Sequence, residues 1–145
     1  MIETKNYQGE IKGGRQDQQW SVSNRYKMYN PLKQNYGHIK AIEGLLKGVA
    51  AVKFISMISF TMRCRFSIDP ELRKIDSDEL VVYDVELSEF ISRKLISLKT
   101  GTPEPPISAA QAQSIYDHLV QANITDSEIR KLHVQRIKGN NTKHQ

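Results

Sequence analysis

The stretch VKFISMISF at residues 52–60 limits the fold more than any other part of the chain. Lys53 aside, it is nearly continuous in apolar character. A half-exposed strand alternates apolar and polar side chains, whereas a run of this kind reads as a strand buried on both faces. Such a strand needs a neighbour at its edges and a layer against each face. Other segments can supply the neighbours. Residues 2–5 read as a strand. Glu10 to Lys12 and Gln19 to Val22 read as two short strands about a turn at Gly13-Gly14, with Trp20 anchoring the hairpin on the core. Leu80 to Tyr83 reads as another strand, and the polar residues 61–79 before it carry a turn at Asp69-Pro70. Residues 2–5, 19–22, 53–60 and 80–83 are expected in one sheet.

Helices supply the layers. Asn30-Pro31 starts one, because Asn caps well and Pro fits the first helical position. Leu32, Tyr36, Ile39, Ile42, Leu45 and Leu46 give it an apolar stripe, and Gly48 stops it. Glu86 to Leu98 has helical spacing through Leu87, Phe90, Ile91 and Leu95. The stretch TGTPEPP at 100–106 reads as a linker. Ser108 caps a helix to Ala122, and Thr125, with Glu128 three residues on, caps a last one. The expected organisation is a core at 1–99, a linker at 100–106, a helical extension at 107–138 and a disordered tail at 139–145. The class is α/β or α+β, a mixed sheet flanked by helices.

No apolar run approaches the roughly 20 residues needed to span a bilayer. Cys64 is the single cysteine, so no intrachain disulfide forms and a reducing, cytoplasmic setting is expected. The net charge is +5 and most of it sits early. Residues 1–50 hold eight Lys/Arg against four Asp/Glu. A basic first third suits a polyanion such as nucleic acid, and equally an ordinary soluble surface.

The chemistry-bearing pattern is Glu3-Thr4-Lys5. Residues two apart on a strand face the same way. A carboxylate there can bind Mg²⁺, and a neighbouring ammonium can orient water or offset charge on a phosphate. The same spacing also describes a solvated ion pair, and from these residues alone both readings stand. Gln34 and His38 share a helix face. Lys33, Lys40 and Lys47 line the polar side of that helix, where they suit either a DNA backbone or water. Arg63-Cys64-Arg65 is a further candidate phosphate contact. Cys64 has no partner for thiol chemistry. His118 and His133 fall on separate predicted helices without zinc-site spacing.

The words IETKNYQGEI, Trp20 and YNPLKQNYGHIKAI resemble the NERD (nuclease-related) domain of the PD-(D/E)xK nuclease-like superfamily. That family carries an E-T-K-N strand, a small hairpin ending near a Trp, and an N-P-x-x-Q-N helix followed by H-I. Here these are Glu3-Thr4-Lys5-Asn6, Trp20, Asn30-Pro31-Leu32-Lys33-Gln34-Asn35 and His38-Ile39. ISMISF at 55–60 resembles the family's next core strand, so the resemblance covers about the first 60 residues. It implies a restriction-endonuclease-like core and Mg²⁺-dependent hydrolysis of phosphodiesters, with DNA as partner. Glu3 would bind the metal, joined by the Thr4 backbone carbonyl. Lys5 would position the attacking water and Gln34 would support it. Lys33, His38 and Lys40 would lie toward nucleic acid. The family's preceding strand brings an Asp, typically in an I-D-H word. This chain starts at Met1, so the resemblance implies a domain incomplete at its N-terminus, with cleavage impaired. It also implies an apolar surface beside the Glu3 strand, unless a second copy of the chain covers it. The competing reading is a non-catalytic nucleic-acid-binding or interaction module.

Overall fold

The computed structural model describes residues 1–101, 107–123, 127–129, 131, 132 and 135. The strands are β1 (Ile2–Lys5), β2 (Gly9–Gly13), β3 (Gln19–Val22), β4 (Tyr26–Tyr29), β5 (Ser56–Phe60), β6 (Cys64–Ile68) and β7 (Glu79–Tyr83). The helices are α1 (Pro31–Leu45), α2 (Leu87–Gly101) and α3 (Ala109–Ala122). This is a mixed α/β architecture, consistent with a nuclease-like core.

The expected single sheet is two. β1, β5 and β7 form a parallel sheet with β5 in the middle. A second, mixed sheet runs β4-β3-β2-β6. Residues 19–22 belong to the second sheet, because β3 pairs with β2 and β4. The paired segments 26–29 and 64–68 are what the sequence reading lacked. In β6 the exposed Arg65 and Ser67 alternate with Cys64, Phe66 and Ile68, so a half-buried strand hides inside a polar average.

The strand expected at 52–60 is shorter: β5 holds only Ser56–Phe60, all five buried, while residues 52–55 precede it outside any strand and none is buried. Its alternate side chains enter different cores. Ile58 and Phe60 join Ile11, Trp20, Leu32 and Val81 in the core shared with the second sheet and α1. Met57 joins Leu80, Val82 and Phe90 on the α2 side. Burying a side chain of this size is worth roughly 1.5–3 kcal/mol.

α1 begins as expected, with Asn30 as its cap and Pro31 in its first turn. Its apolar stripe is thinner than expected. Leu32, Ile39 and Leu46 are buried, while Tyr36 and Leu45 are exposed, and the buried line is completed by Asn35. The helix ends at Leu45, and Gly48 follows it at φ +82°. α2 runs on through Thr100 and Gly101, the first two residues of the expected linker. Residues 102–106, the Thr125 cap and the tail at 139–145 lie outside the described residues. Ser108 caps α3 as read, with Gln111 completing a capping box. Ile2, Ile55, Met57, Ile91, Leu95 and Leu98 line an apolar groove of about 180 Å³ beside β1. Among the described residues no helix is long and apolar enough to cross a membrane.

Candidate active site

The site is assembled by the start of α1. The fully buried Asn30 caps the helix through Oδ1, which accepts from Leu32 N at 2.9 Å. Its amide nitrogen donates to the carbonyls of Arg15 at 3.0 Å and Asp17 at 2.7 Å. Trp20 Nε1 donates to the neighbouring Gly14 carbonyl at 2.9 Å. The hairpin and the helix start therefore hold one loop between them. Asn35, also fully buried, donates to Ser56 Oγ at 2.7 Å and to the Met1 carbonyl at 3.4 Å. Those bonds fasten α1 to β5 and to the start of β1.

So fixed, α1 presents Gln34 to β1. Glu3 pairs in register with Ile58 and Lys5 with Phe60, so both carry their side chains to the face that α1 covers. Lys5 Nζ donates to Gln34 Oε1 at 2.8 Å and forms an ion pair with Glu3 Oε1. Their side chains are only 17% and 14% exposed. At that burial, removing either charge alone leaves the other uncompensated, at a cost of roughly 3–5 kcal/mol. An ammonium has three donors. Two are taken, and one remains for a water or phosphate oxygen. Gln34 keeps both N–H donors of its amide once its oxygen serves Lys5.

Glu3 Oε2 is buried and accepts no hydrogen bond. His38 Nδ1, on the more exposed ring, lies 3.4 Å from it. That is ion-pair range for a protonated imidazole, but without hydrogen-bond geometry. A buried carboxylate oxygen left open in this way suits a hard cation, which takes oxygen ligands. Mg²⁺ commonly uses one or two carboxylates together with waters and substrate phosphates, so Glu3 fits one position of such a site. Thr4 fits another. The Met1 and Lys5 carbonyls accept from Met57 N and Thr61 N. Successive carbonyls on a strand alternate sides, so that of Thr4 points to the free edge of β1. Among the described residues no cluster of three His, Cys, Asp or Glu side chains completes a metal cage.

The structure thus brings Glu3, Lys5, Gln34 and His38 together, and it places Lys33 and Lys40 elsewhere. Lys33 donates to the Gln16 carbonyl at 3.1 Å and to Gln18 Oε1 at 2.8 Å. Lys40 pairs with Glu43 at 2.6 Å and lies over the Tyr36 ring. Cys64 is buried, its thiol donating to the Thr61 carbonyl at 3.2 Å. Burial pushes its pKa up, which makes it a poor nucleophile. Sequence reasoning missed the tie from Asn35 to Ser56. A polar residue at a core position of the α1 stripe was the signal for it.

Of the words E-T-K and N-P-x-x-Q-N, Glu3, Lys5 and Gln34 meet in the cluster, and Asn30 and Asn35 make bonds that position it. Residues 1–61 match the nuclease-related domain. The matched residues comprise β1 to β5 with α1, which include the whole Glu3–Lys5–Gln34–His38 cluster. An uncharacterized protein of Bacillus anthracis is 30% identical over 141 residues, which is 93% of this chain and 59% of that protein. The chain therefore spans about three fifths of the length of the curated relative it matches. No solved structure matches.

Proposed function

We propose that the chain carries a nuclease-type site that hydrolyses phosphodiester bonds of nucleic acid, DNA first, with Mg²⁺ as cofactor. The observation that carries this reading is the arrangement around Lys5: its ammonium bridges Glu3 and Gln34 while the second Glu3 oxygen stays open. A surface ion pair would not be largely buried, bridged by an amide and left with an open oxygen.

Glu3 Oε2 and the Thr4 carbonyl would hold the metal. When bound, Mg²⁺ offsets charge on the phosphate and makes a bound water more acidic. Lys5 directs its remaining N–H at the attacking water or a non-bridging phosphate oxygen. Gln34 keeps the ammonium in place and offers its own N–H donors to the same phosphate. His38, half-exposed beside Glu3, would lie toward the nucleic acid. With one carboxylate in the cluster, the ion is held weakly and the water is oriented by fewer ligands, so cleavage is expected to be slow.

The test follows metal and cleavage separately. Mn²⁺, watched by the loss of its free-ion paramagnetic signal, should bind the chain in the presence of DNA, and Glu3→Gln should abolish that binding. In millimolar Mg²⁺, slow plasmid nicking should fall by a factor of ~10²–10⁴ in Lys5→Ala, the range for a group acting directly on the reacting atoms. Lys5→Ala leaves the Glu3 charge unpaired, so the doubly neutral Glu3→Gln/Lys5→Met variant controls for folding and should be equally inactive. Robust nicking that survives both variants would overturn the assignment.

A further inference from the structure

Of the three lysines that the sequence reading offered to nucleic acid on α1, Lys33 and Lys40 are occupied, and most of the cations left free lie elsewhere. Lys33 and Lys40 have partners, as do Arg15, Lys53, Arg73, Lys74, Arg93 and Lys94. Among the described residues, the side chains of Lys12, Arg25, Lys27, Lys47, Arg63, Arg65 and Lys99 make no hydrogen bond, ion pair or ring contact, and all are exposed. Lys47 and Lys99 sit at the C-terminal ends of α1 and α2. The other five belong to β2, β4, β6 or the turns between strands, and so to the second sheet.

Register sorts them further. Ile11, Trp20, Met28 and Phe66 turn into the core, so their strand neighbours turn outward. The cross-strand pairs Lys27–Ser21, Ser21–Lys12 and Lys12–Ser67 make one outward row over all four strands. Tyr29 and Gln19 form the next row on one side, and Glu10 and Arg65 the next on the other. Strands lie about 4.8 Å apart, so the Lys12 and Lys27 backbones are about 10 Å apart. Glu10 is the acid on this face. Asp17 and Asp69, at the Gly13 end, accept from the backbone N–H groups of Gly14 and Arg15. Backbone bonds at residues 61–63 join the strand of the candidate site to the sheet that carries this face. Thr61 N bonds the Lys5 carbonyl, and two residues on the Arg63 carbonyl accepts from Gly9 N.

We propose that the outer face of the four-stranded sheet, with Lys12, Lys27 and Arg65 in its rows and Arg25 and Arg63 at one end, docks the phosphate backbone of nucleic acid. Unpaired cations with small serines between them leave room for phosphates and give up no existing ion pair on binding. The proposal rests on the reading of a nucleic-acid substrate, but it places binding on a surface apart from the Glu3–Lys5 cluster.

The experiment measures binding without cleavage: fluorescence anisotropy of labelled duplex DNA in EDTA, over a range of salt. The Lys12→Ala/Lys27→Ala/Arg65→Ala variant should bind at least ~10-fold more weakly. Its salt dependence should flatten by about 0.9 logarithmic units for each phosphate that is no longer neutralised. Lys53→Ala/Lys74→Ala/Lys99→Ala makes the same change in net charge elsewhere and should bind within about 3-fold of wild type. All six positions are exposed, and circular dichroism confirms folding. Equal weakening in the two triple variants, or none in the first, would overturn the docking surface while leaving the cleavage reading to its own test. Wild-type chain that binds no DNA would likewise overturn it. Binding abolished in the first variant, in a chain that never cleaves DNA, would uphold the surface and defeat the nuclease reading.

Discussion

Asn30 does two tasks with one side chain. Its oxygen caps α1 and its nitrogen holds the Arg15 and Asp17 carbonyls. Replacing it with Ala removes a cap worth about 1 kcal/mol and strands part-buried carbonyls at about 1–3 kcal/mol. Asn30→Ala should therefore lose about 2–4 kcal/mol in chemical denaturation. Asn30→Ser should recover only the capping share, about 1 kcal/mol. Full recovery by Ser would mean that the loop hydrogen bonds contribute nothing. At this scale the sequence was informative where a local rule applied. The cap at Asn30, the shared face of Glu3 and Lys5, and the common face of Gln34 and His38 all follow from strand and helix periods. Which lysines would be free did not follow. Lys33 finds Gln18 and the Gln16 carbonyl only because the hairpin loop folds back beside α1, and no local pattern encodes that approach.

At the scale of elements, two packing arrangements lead to predictions. A Cβ added to Gly13 would lie 2.2 Å from Trp20 Cδ1, and Trp20 is fully buried with no room to retreat. Gly13→Ala should cost about 1–3 kcal/mol by overpacking and shift Trp20 fluorescence to the red. The second arrangement joins the 3-10 turn at 70–73 to the end of β7. Arg73 makes a bidentate pair with Glu86 at 2.8 and 3.0 Å and lies over Phe66, Tyr83 and Phe90. The Arg73 hydrogen bonds, helped by one from Tyr83 N, lower the Glu86 pKa against the opposing effect of burial. A lowered carboxylate pKa adds stability that is complete above the ordinary glutamate value of about 4.3 and is lost as pH falls through the folded value. Glu86→Gln should be less stable than wild type at neutral pH and lose less on acidification below about 4.3, read as Tm against pH. A pH profile parallel to that of wild type would remove Glu86 from the account. Among the elements, β5 was legible because burial on both faces leaves a continuous apolar run. β6 was hidden because one of its faces meets solvent.

Across the whole molecule, the period of a strand says which side chains share a face but not which sheet the strand joins. Residues 19–22 have the alternation of any half-buried strand. Their assignment to the second sheet depends on β2 and β4 beside them, a pairing made by turns at Gly14–Asp17 and Ser23–Arg25. The Ser23 and Asn24 backbones of the second turn adopt positive φ, and Asn tolerates that conformation better than most residues. The candidate site is equally a product of the assembly: one strand of the parallel sheet supplies Glu3 and Lys5, and α1 supplies Gln34 and His38.

The free edge of β1 has a consequence for motion as well as for ligands. Register gives the Glu3 and Lys5 amides to β5, while those of Ile2 and Thr4 turn away from it. Deuterium should therefore enter this strand with a period of two. The Thr4 amide should exchange within the time of a surface loop, while Lys5, its immediate neighbour, waits for the strand to separate from β5. A segment that added itself to this edge as a fourth strand would erase the alternation by slowing Ile2 and Thr4. Residue-resolved exchange would register its arrival even where the Glu3–Lys5 pair did not move.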